Sequence, residues 1–305
     1  MMAYVDLSQL SQPDIINIPD FEDELESTKA VIIAAFPPQQ REAIASALDI
    51  ESEPLCALAQ AFTYRIILIL QRINEAVRAV LLSSANNSDL DSVAANFDVK
   101  RLIITEATET EDAVMESDED LRARVLLAWA RLSTAGAKNA YHYFSRSADA
   151  DVLDVRAYGP ETHSQEGRIF LYVLSRSGNG EAQEALLNKV AEAVNDDETR
   201  PLTDFVSVRS AEIVPYTIRA DVHIPYGLDV EMVLNQAKEA LYNYTTETHR
   251  IHATVACSGI DRALHQTGVV TVKLHTPETD LVTEMGQAPW CTDVKINPVV
   301  IDNDQ

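Results

Sequence analysis

The sequence has 305 residues, 46% of them hydrophobic, and a formal net charge of −24. A chain of this length is expected to form two or three compact units, each with a buried core. The excess of carboxylates would repel phosphate groups, which argues against nucleic acid or an anionic membrane surface as a partner.

The chain has features of a protein that folds in a reducing cytoplasm. Its three cysteines, Cys56, Cys257 and Cys291, are too far apart to predict a disulfide framework. The first residues lack the basic and apolar regions of a secretory signal. The longest aliphatic run, Ile66 to Leu70, is far shorter than the roughly 20 apolar residues of a membrane span. We therefore expect no membrane partner.

The first predicted domain, residues 1–52, combines an extended arm with two short helices. Residues 1–22 contain two prolines and many Asp and Asn residues, which predicts the arm. Helices are predicted over 23–36 and 39–49. Pro37-Pro38 separates them, because proline lacks the N–H group that a helix interior requires.

The second predicted domain, residues 53–115, begins with a long helix over 53–82 and continues as a turn-rich, acidic linker. The helix carries two adjacent apolar stripes at intervals of three and four residues, the second interrupted by Asn74. A helix with two apolar stripes is expected between two neighbours, as in an inter-subunit bundle, although an ordinary core helix is the alternative. The predicted partner-binding residues are Leu55, Leu58, Phe62, Ile66, Ile69, Ile73, Ala76 and Val80 in the first stripe, and Ile67, Leu70, Val77 and Leu81 in the second.

The third predicted domain, residues 116–211, changes from helices to a mixed helix and strand pattern. A capping sequence at Ser117–Asp120 predicts a helix start. That helix is expected to carry Leu121, Val125, Ala128, Trp129 and Leu132 on one side, to stop at Thr134–Gly136, and to be followed by a short helix ending at Ser145. Further on, strands are predicted over Val152–Tyr158, Arg168–Leu174 and Asp204–Ser210, and a helix over Glu181–Asn195.

The fourth predicted domain, residues 212–305, repeats the mixed pattern. Tyr216–Ile224 alternates between apolar and polar residues, as a half-buried strand does. A long helix from Val230, a short one near Gly259–Gln266 and a strand over Gly268–Thr276 follow. The predicted fold class is α+β, with long N-terminal helices in an inter-subunit bundle, followed by small α+β sandwich domains.

Catalytic and metal-binding motifs are incomplete in this sequence. His249 and His252 have helical spacing near Cys257, but neither an H-E-x-x-H pattern nor a fourth zinc ligand completes a site, and exposed loop or helix-end histidines are the alternative. The Ser177–Gly180 segment precedes a predicted helix and could hold a phosphate, but a tight turn with a helix cap explains it better. We therefore expect no catalytic residue, no metal and no cofactor.

An ordered series of segments between residues 40 and 296 resembles the baseplate assembly protein J family of contractile-tailed phages. The segments are Glu51–Leu55, Arg72–Val80, Leu90-Asp91, Met115–Asp118, Leu132–Gly136, Ser145–Asp149, Val173–Arg176 with Gly178–Gly180, Arg200–Asp204 and Ala211–Tyr216. Some relatives carry a longer, proline-rich insertion before the Met-Glu-Ser segment. Here Glu106–Val114 is short and acidic.

The resemblance implies a structural subunit of the baseplate wedge, located in the tail baseplate and assembled in the host cytoplasm. The implied partners are a second copy of the chain, a tail protein I-like wedge subunit, a sheath-initiator protein with a lysozyme-like fold, and the central hub or spike proteins. Such proteins join wedges into a ring around the hub and transmit the rearrangement that triggers sheath contraction. A tail-associated peptidoglycan hydrolase or a receptor-binding adhesin is the alternative.

The resemblance also implies that the last domain joins neighbouring wedges. Its few predicted strands leave sheet edges whose unpaired backbone groups invite another strand. We expect self-association through Val269, Val270, Val272 and Trp290, although these residues would otherwise complete a monomeric core.

Overall fold

The computed structural model describes residues 7, 10, 11, 13, 15–108, 111–133, 137–196 and 199–301. The chain divides into two units. The first, here the helical unit, comprises residues 1–100 and 118–122, and the second, here the mixed unit, comprises residues 101–117 and 123–305.

The helical unit contains α1 (Phe21–Ala35), α2 (Arg41–Leu48), α3 (Pro54–Arg78) and α4 (Asn87–Ala95). The break between α1 and α2 and the start of the long helix at Pro54 confirm the sequence predictions. The predicted end of the long helix was wrong, because α3 ends at Arg78 rather than at residue 82. There the Leu81 N–H and the Ser84 hydroxyl both donate to the Arg78 carbonyl, so the chain tightens and leaves the helix.

The predicted turn-rich, acidic linker that follows residue 82 contains regular structure. Besides α4, which buries Leu90 and Ala94 in the helical unit, it includes a two-stranded antiparallel hairpin in the mixed unit. The hairpin consists of β1 (Ile103–Thr105) and β2 (Val114–Met115). Asn86 and Asn87 were interpreted as part of a turn. Asn is also common at helix N-termini, and here Asn86 is the N-cap of α4.

The helix predicted from Ser117 is α5 (Asp118–Leu127), and a 3₁₀ turn over Ala128–Leu132 continues it. Leu121, Val125 and Ala128 are buried as predicted, but Trp129 and Leu132 are exposed. Tightening from 3.6 to about three residues per turn rotates the later side chains away from the buried face. The predicted stop at Thr134–Gly136 lies outside the described residues. The next helix, α6 (Lys138–Ala148), extends three residues beyond the predicted end.

The first sheet of the mixed unit has the strand order β3-β4-β5, with β3 antiparallel and β5 parallel to the central strand. Helices α6 and α8 pack with this sheet around a core that includes Leu171, Val173 and Val190. The elements after α6 are β3 (Val152–Tyr158), α7 (Pro160–His163), β4 (Arg168–Ser175), α8 (Glu184–Asn195) and β5 (Phe205–Ser210).

The second sheet has the order β10-β6-β8, with β10 parallel and β8 antiparallel to the central strand β6. Helices α9 and α10 pack against this sheet. The elements are β6 (Glu212–Pro225), α9 (Val230–Thr248), β7 (Thr254–Val255), α10 (Cys257–Leu264), β8 (Thr271–Thr276), β9 (Leu281–Val282) and β10 (Gln287–Ile301). The predicted α+β class is confirmed.

The two sheets of the mixed unit share a small apolar cluster. Leu174 of β4, Ala211 between β5 and β6, Ile251 after α9 and Ala288 of β10 are all buried together. The Ala211 N–H also donates to the carbonyl of Val173 at 2.8 Å. The second sheet therefore depends on the first sheet for part of its core.

His142 of α6 makes the stability of the mixed unit dependent on pH. Its Nε2 atom accepts the Ala157 N–H at 3.3 Å, and burial, with nearby Arg156, Arg146 and Lys138, lowers the pKa of the imidazole to about 4. Between its ordinary pKa near 6.5 and about 4, the unfolded chain therefore binds a proton that the folded chain does not. The stabilisation is complete above pH 6.5 and is lost as the pH falls, by up to about 3 kcal/mol.

We therefore expect His142→Gln, which keeps a hydrogen-bond acceptor but does not titrate, to flatten the dependence of unfolding free energy on pH between about 6.5 and 4. Denaturant unfolding at a series of pH values checks this. Parallel curves for the variant and the natural chain would show that His142 is not responsible.

Candidate partner-binding surfaces

Helix α3 has one face covered by its own unit and one face open. Cys56, Ala59, Thr63 and Asn74 are buried on the covered face, where α1 and α2 pack. Five members of the first predicted stripe are exposed, and we call them the open stripe: Leu58 (53%), Phe62 (55%), Ile69 (55%) and Ile73 (39%) on α3, and Val80 (69%) two residues beyond its end.

The other predicted residues flank the open stripe or lie toward the covered face. Ala76 is exposed and contributes little apolar area. The half-buried residues are Leu55 and Ile66 from the first stripe and Ile67, Leu70, Val77 and Leu81 from the second. Only the covered face therefore has its full set of neighbours within the described chain, and the open stripe exposes a continuous apolar strip to solvent.

The polar residue that interrupts the second stripe has a defined role. The Asn74 side chain is 3% exposed, and its Oδ1 atom accepts the Ile16 N–H at 3.0 Å while its Nδ2 atom donates to the Ile16 carbonyl at 2.8 Å. This two-point contact holds the backbone of the N-terminal arm against α3. From the sequence alone, Asn74 was only an interruption in an apolar stripe, and its contact with the arm was not predicted.

Helix α3 is long enough and apolar enough to cross a membrane, judged by length and composition alone. Its best 18-residue window has a mean hydropathy of 1.4, and 17% of that window is buried. From the short aliphatic run at Ile66 to Leu70 we expected no membrane span. That run is short because polar residues divide the apolar residues of this helix into small groups. A helix whose apolar face is covered by partner helices has the same length and composition.

The four predicted self-association residues occupy different environments in the second sheet. Val269 and Val272 pack against a cluster of Val222, Ile224 and Val233 and thus contribute to the core of their own chain. Val270 is 55% exposed. Trp290 is half-buried, and its ring centroid lies 4.8 Å from that of His249.

A groove of about 700 Å³ lies beside Trp290 in the mixed unit. Leu153, Leu241, Tyr242, His249, Lys238 and Arg176 contribute to its walls. The Nδ1 atom of His249 is 2.6 Å from the Pro289 carbonyl, and burial lowers the pKa of the imidazole. His249 lies at a helix end, as the alternative interpretation had it, but it is buried rather than exposed, because the start of β10 covers the end of α9.

The histidine and cysteine candidates do not form a metal site. The chain turns out of the helix at His249, and His252 has a φ of 60°, so the two histidines do not share a helical face. The Cys257 thiol donates to the Pro277 carbonyl at 3.5 Å. Within the described residues no cluster of three or more His, Cys, Asp or Glu side chains could hold a metal ion.

The Ser177–Gly180 segment is a turn whose donors are used locally. The Ser177 N–H donates to the Ser175 hydroxyl at 2.9 Å, and the Gly180 N–H to the Ser177 carbonyl at 3.2 Å. Helix α8 begins only at Glu184, so the predicted helix cap within this segment was wrong. The turn is therefore not the start of a helix, where free N–H groups bind phosphate.

Comparison with known proteins identifies the family. Residues 51–108 match the Baseplate J-like N-terminal domain, and residues 133–210 match the Baseplate J-like central domain. Baseplate protein J of Escherichia phage P2 is 40% identical over 299 residues, which cover 97% of this chain and 98% of that protein. A cryo-EM structure of the anti-feeding prophage baseplate aligns with a TM-score of 0.41 and 11% identity, over 61% of this chain and 44% of that one.

The sequence match to baseplate protein J extends along nearly the whole chain. The chain therefore belongs to the baseplate J-like family of phage tail baseplate proteins.

Proposed function

We propose that this protein is a structural subunit of the baseplate wedge, which joins wedges into a ring around the central hub and transmits the rearrangement that triggers sheath contraction. The observation that carries this proposal is the open stripe of α3. A strip of large apolar side chains along a helix of 25 residues is costly to leave in water, and a bundle with partner helices would cover it.

The proposed occupants of the open stripe are helices of a tail protein I-like wedge subunit and of a second copy of this chain. Further proposed partners are the sheath-initiator protein with a lysozyme-like fold and the hub or spike proteins. The family assignment supports a role among baseplate proteins, and the open stripe supports direct helix packing as the means of contact.

Co-expression with the neighbouring tail genes tests this function. We expect the chain to co-purify with a tail protein I-like subunit as a complex of defined mass. A chain that purifies alone from such co-expression would contradict the proposed wedge role. A purified chain that clears bacterial cell walls, with clearing lost on changing one carboxylate, would instead support a hydrolase.

We further propose that the second sheet contributes to contact between neighbouring wedges. Both β8 and β10 are edge strands, and Val270 is an exposed apolar residue just before β8. Val270→Asp should therefore weaken association of the full-length chain at micromolar concentration by about tenfold or more, because it introduces a charge into the contact. Light scattering checks this, with the exposed Val282→Asp as the matched control.

An unchanged association constant in Val270→Asp would contradict this use of the β8 side. The measurement requires the full chain, because the second sheet shares its cluster of Leu174, Ala211, Ile251 and Ala288 with the first sheet. A fragment that begins at residue 205 would expose part of this cluster, and its association would not report on the natural surface.

A further inference from the structure

Strand β10 has one open edge. It is the longest strand of the second sheet and lies at the end of the order β10-β6-β8, paired with β6 from Gln287 to Ile301. Within the described residues no strand pairs with its other edge. Between Pro289 and Pro298 every residue keeps its backbone N–H group, so this stretch can form a further ladder.

The side of β10 that faces α9 is apolar and incompletely covered. Val294 is the cross-strand neighbour of the buried Ile218, yet it is 44% exposed. Val300 on the same side is 52% exposed, and Pro298 between them is exposed as well. The groove beside Trp290 continues this surface, because Val294 also lines it. Helix α9 therefore leaves an apolar strip along the open edge of the sheet.

The opposite side of β10 carries one charge of each sign. Asp293 and Lys295 are exposed and flank Val294. In the part of the chain that the structure describes, neither side chain lies within ion-pair distance of an opposite charge. Charges of one sign along an open edge prevent strands from pairing. Here the signs are opposite and equally spaced about Val294, so the edge is complementary to a second copy of itself.

We propose that β10 pairs with β10 of a second copy, antiparallel and centred on Val294. In this register Asp293 of each copy is the cross-strand neighbour of Lys295 of the other copy, which gives two ion pairs. Pro298 of each copy comes near Trp290 of the other, on the side of the groove. The contact is isologous, and it joins the two three-stranded sheets into one sheet of six strands.

This inference rests on the proposed role in a ring of wedges and names a second contact between copies. Strands β10 and β8 lie at opposite edges of the same sheet, so pairing through β10 leaves the side of Val270 free for the contact proposed above. A ring in which successive copies are related by two-fold contacts needs two different surfaces on each copy.

Charge exchange in the full-length chain tests the register. Asp293→Lys places two pairs of lysines opposite each other, and Lys295→Asp places two pairs of aspartates. Each variant alone should therefore associate at least about tenfold more weakly in sedimentation velocity at micromolar concentration. The substitutions change the net charge in opposite directions, so a net-charge effect cannot weaken both. Lys295→Asp also puts a carboxylate opposite Arg219, so it should not destabilise the sheet.

An equimolar mixture of the two variants should regain the association, because each lysine then faces an aspartate. A chain with both substitutions should regain it too, since its pairs are only reversed. All are compared in the Val270→Asp chain, so that the contact proposed for the β8 side does not contribute, and circular dichroism establishes that each is folded. A reference chain that is monomeric, a single variant that associates normally, or a mixture that stays monomeric would each overturn the proposal.

An engineered disulfide tests the two-fold axis directly. The two Val294 residues would be cross-strand neighbours with Cα atoms about 4.5–5.5 Å apart, a distance that a disulfide spans. Oxidation of Val294→Cys with copper phenanthroline should therefore link two copies, and peptide mass spectrometry should assign the bond to position 294. Val300→Cys is the matched control, because it is an exposed valine on the same strand whose two copies would lie about 40 Å apart.

Equal linking of Val294→Cys and Val300→Cys would show that β10 does not pair in this way. These results are separable from a failure of the wedge function. If the chain co-purifies with its tail protein I-like partner but does not link at position 294, only the β10 contact is wrong. If the link forms while no partner complex does, the wedge function is wrong and the contact between copies stands.

Discussion

Ile69→Asp is expected to abolish co-purification with the tail protein I-like subunit and to leave the chain itself folded. Ile69 is 55% exposed in the isolated chain, so the substitution should change the unfolding free energy by no more than about 0.5 kcal/mol. In a bundle that covers the open stripe, the new carboxylate would be buried without a partner. That costs several kcal/mol, enough to weaken the complex by more than about a hundredfold.

Gln71→Asp is the matched control, because it places the same carboxylate two residues further along α3, at an exposed position outside the open stripe. Quantitative pull-down of the co-expressed partner, together with thermal unfolding of each purified variant, separates a lost contact from a lost fold. If Ile69→Asp co-purifies with as much of the tail protein I-like subunit as Gln71→Asp does, α3 does not form the contact between the subunits.

Local sequence signals predicted the elements that depend on neighbouring residues. Pro54 set the start of α3, and the predicted bounds of β3 agree with the structure at both ends. The sequence missed β10, the longest strand, because Pro289, Pro298 and several polar residues obscure its alternation. Pairing with β6 along nearly its whole length maintains that strand, and pairing between distant segments cannot be seen in local periodicity.

The candidate surfaces were likewise predictable where they depend on neighbouring residues and not where they depend on distant segments. Periodicity located the open stripe, but it could not show which of the two stripes the chain covers by itself, because that depends on where α1 packs. Asn74 likewise acquired a meaning only when its contact with Ile16 was visible.

Arg124→Met is expected to lower the unfolding free energy by about 3–5 kcal/mol, because it removes one partner of a buried ion pair. Arg124 Nε and Nη2 each donate to a carboxylate oxygen of Glu116 at 2.7 Å, and the two side chains are 4% and 5% exposed. In the variant the carboxylate stays buried and loses its two strongest donors.

The exposed pair of Arg72 and Glu75 provides a control of equal chemistry. Its side chains are 82% and 58% exposed, so Arg72→Met should change the unfolding free energy by less than about 1 kcal/mol. A second variant, Glu116→Leu with Arg124→Met, should regain much of the loss, because it leaves no unpaired charge in the interior. Denaturant unfolding measures the unfolding free energy of Arg124→Met, Arg72→Met and the double variant. Equal losses in Arg72→Met and Arg124→Met would refute the idea that burial makes the Glu116–Arg124 pair important for stability.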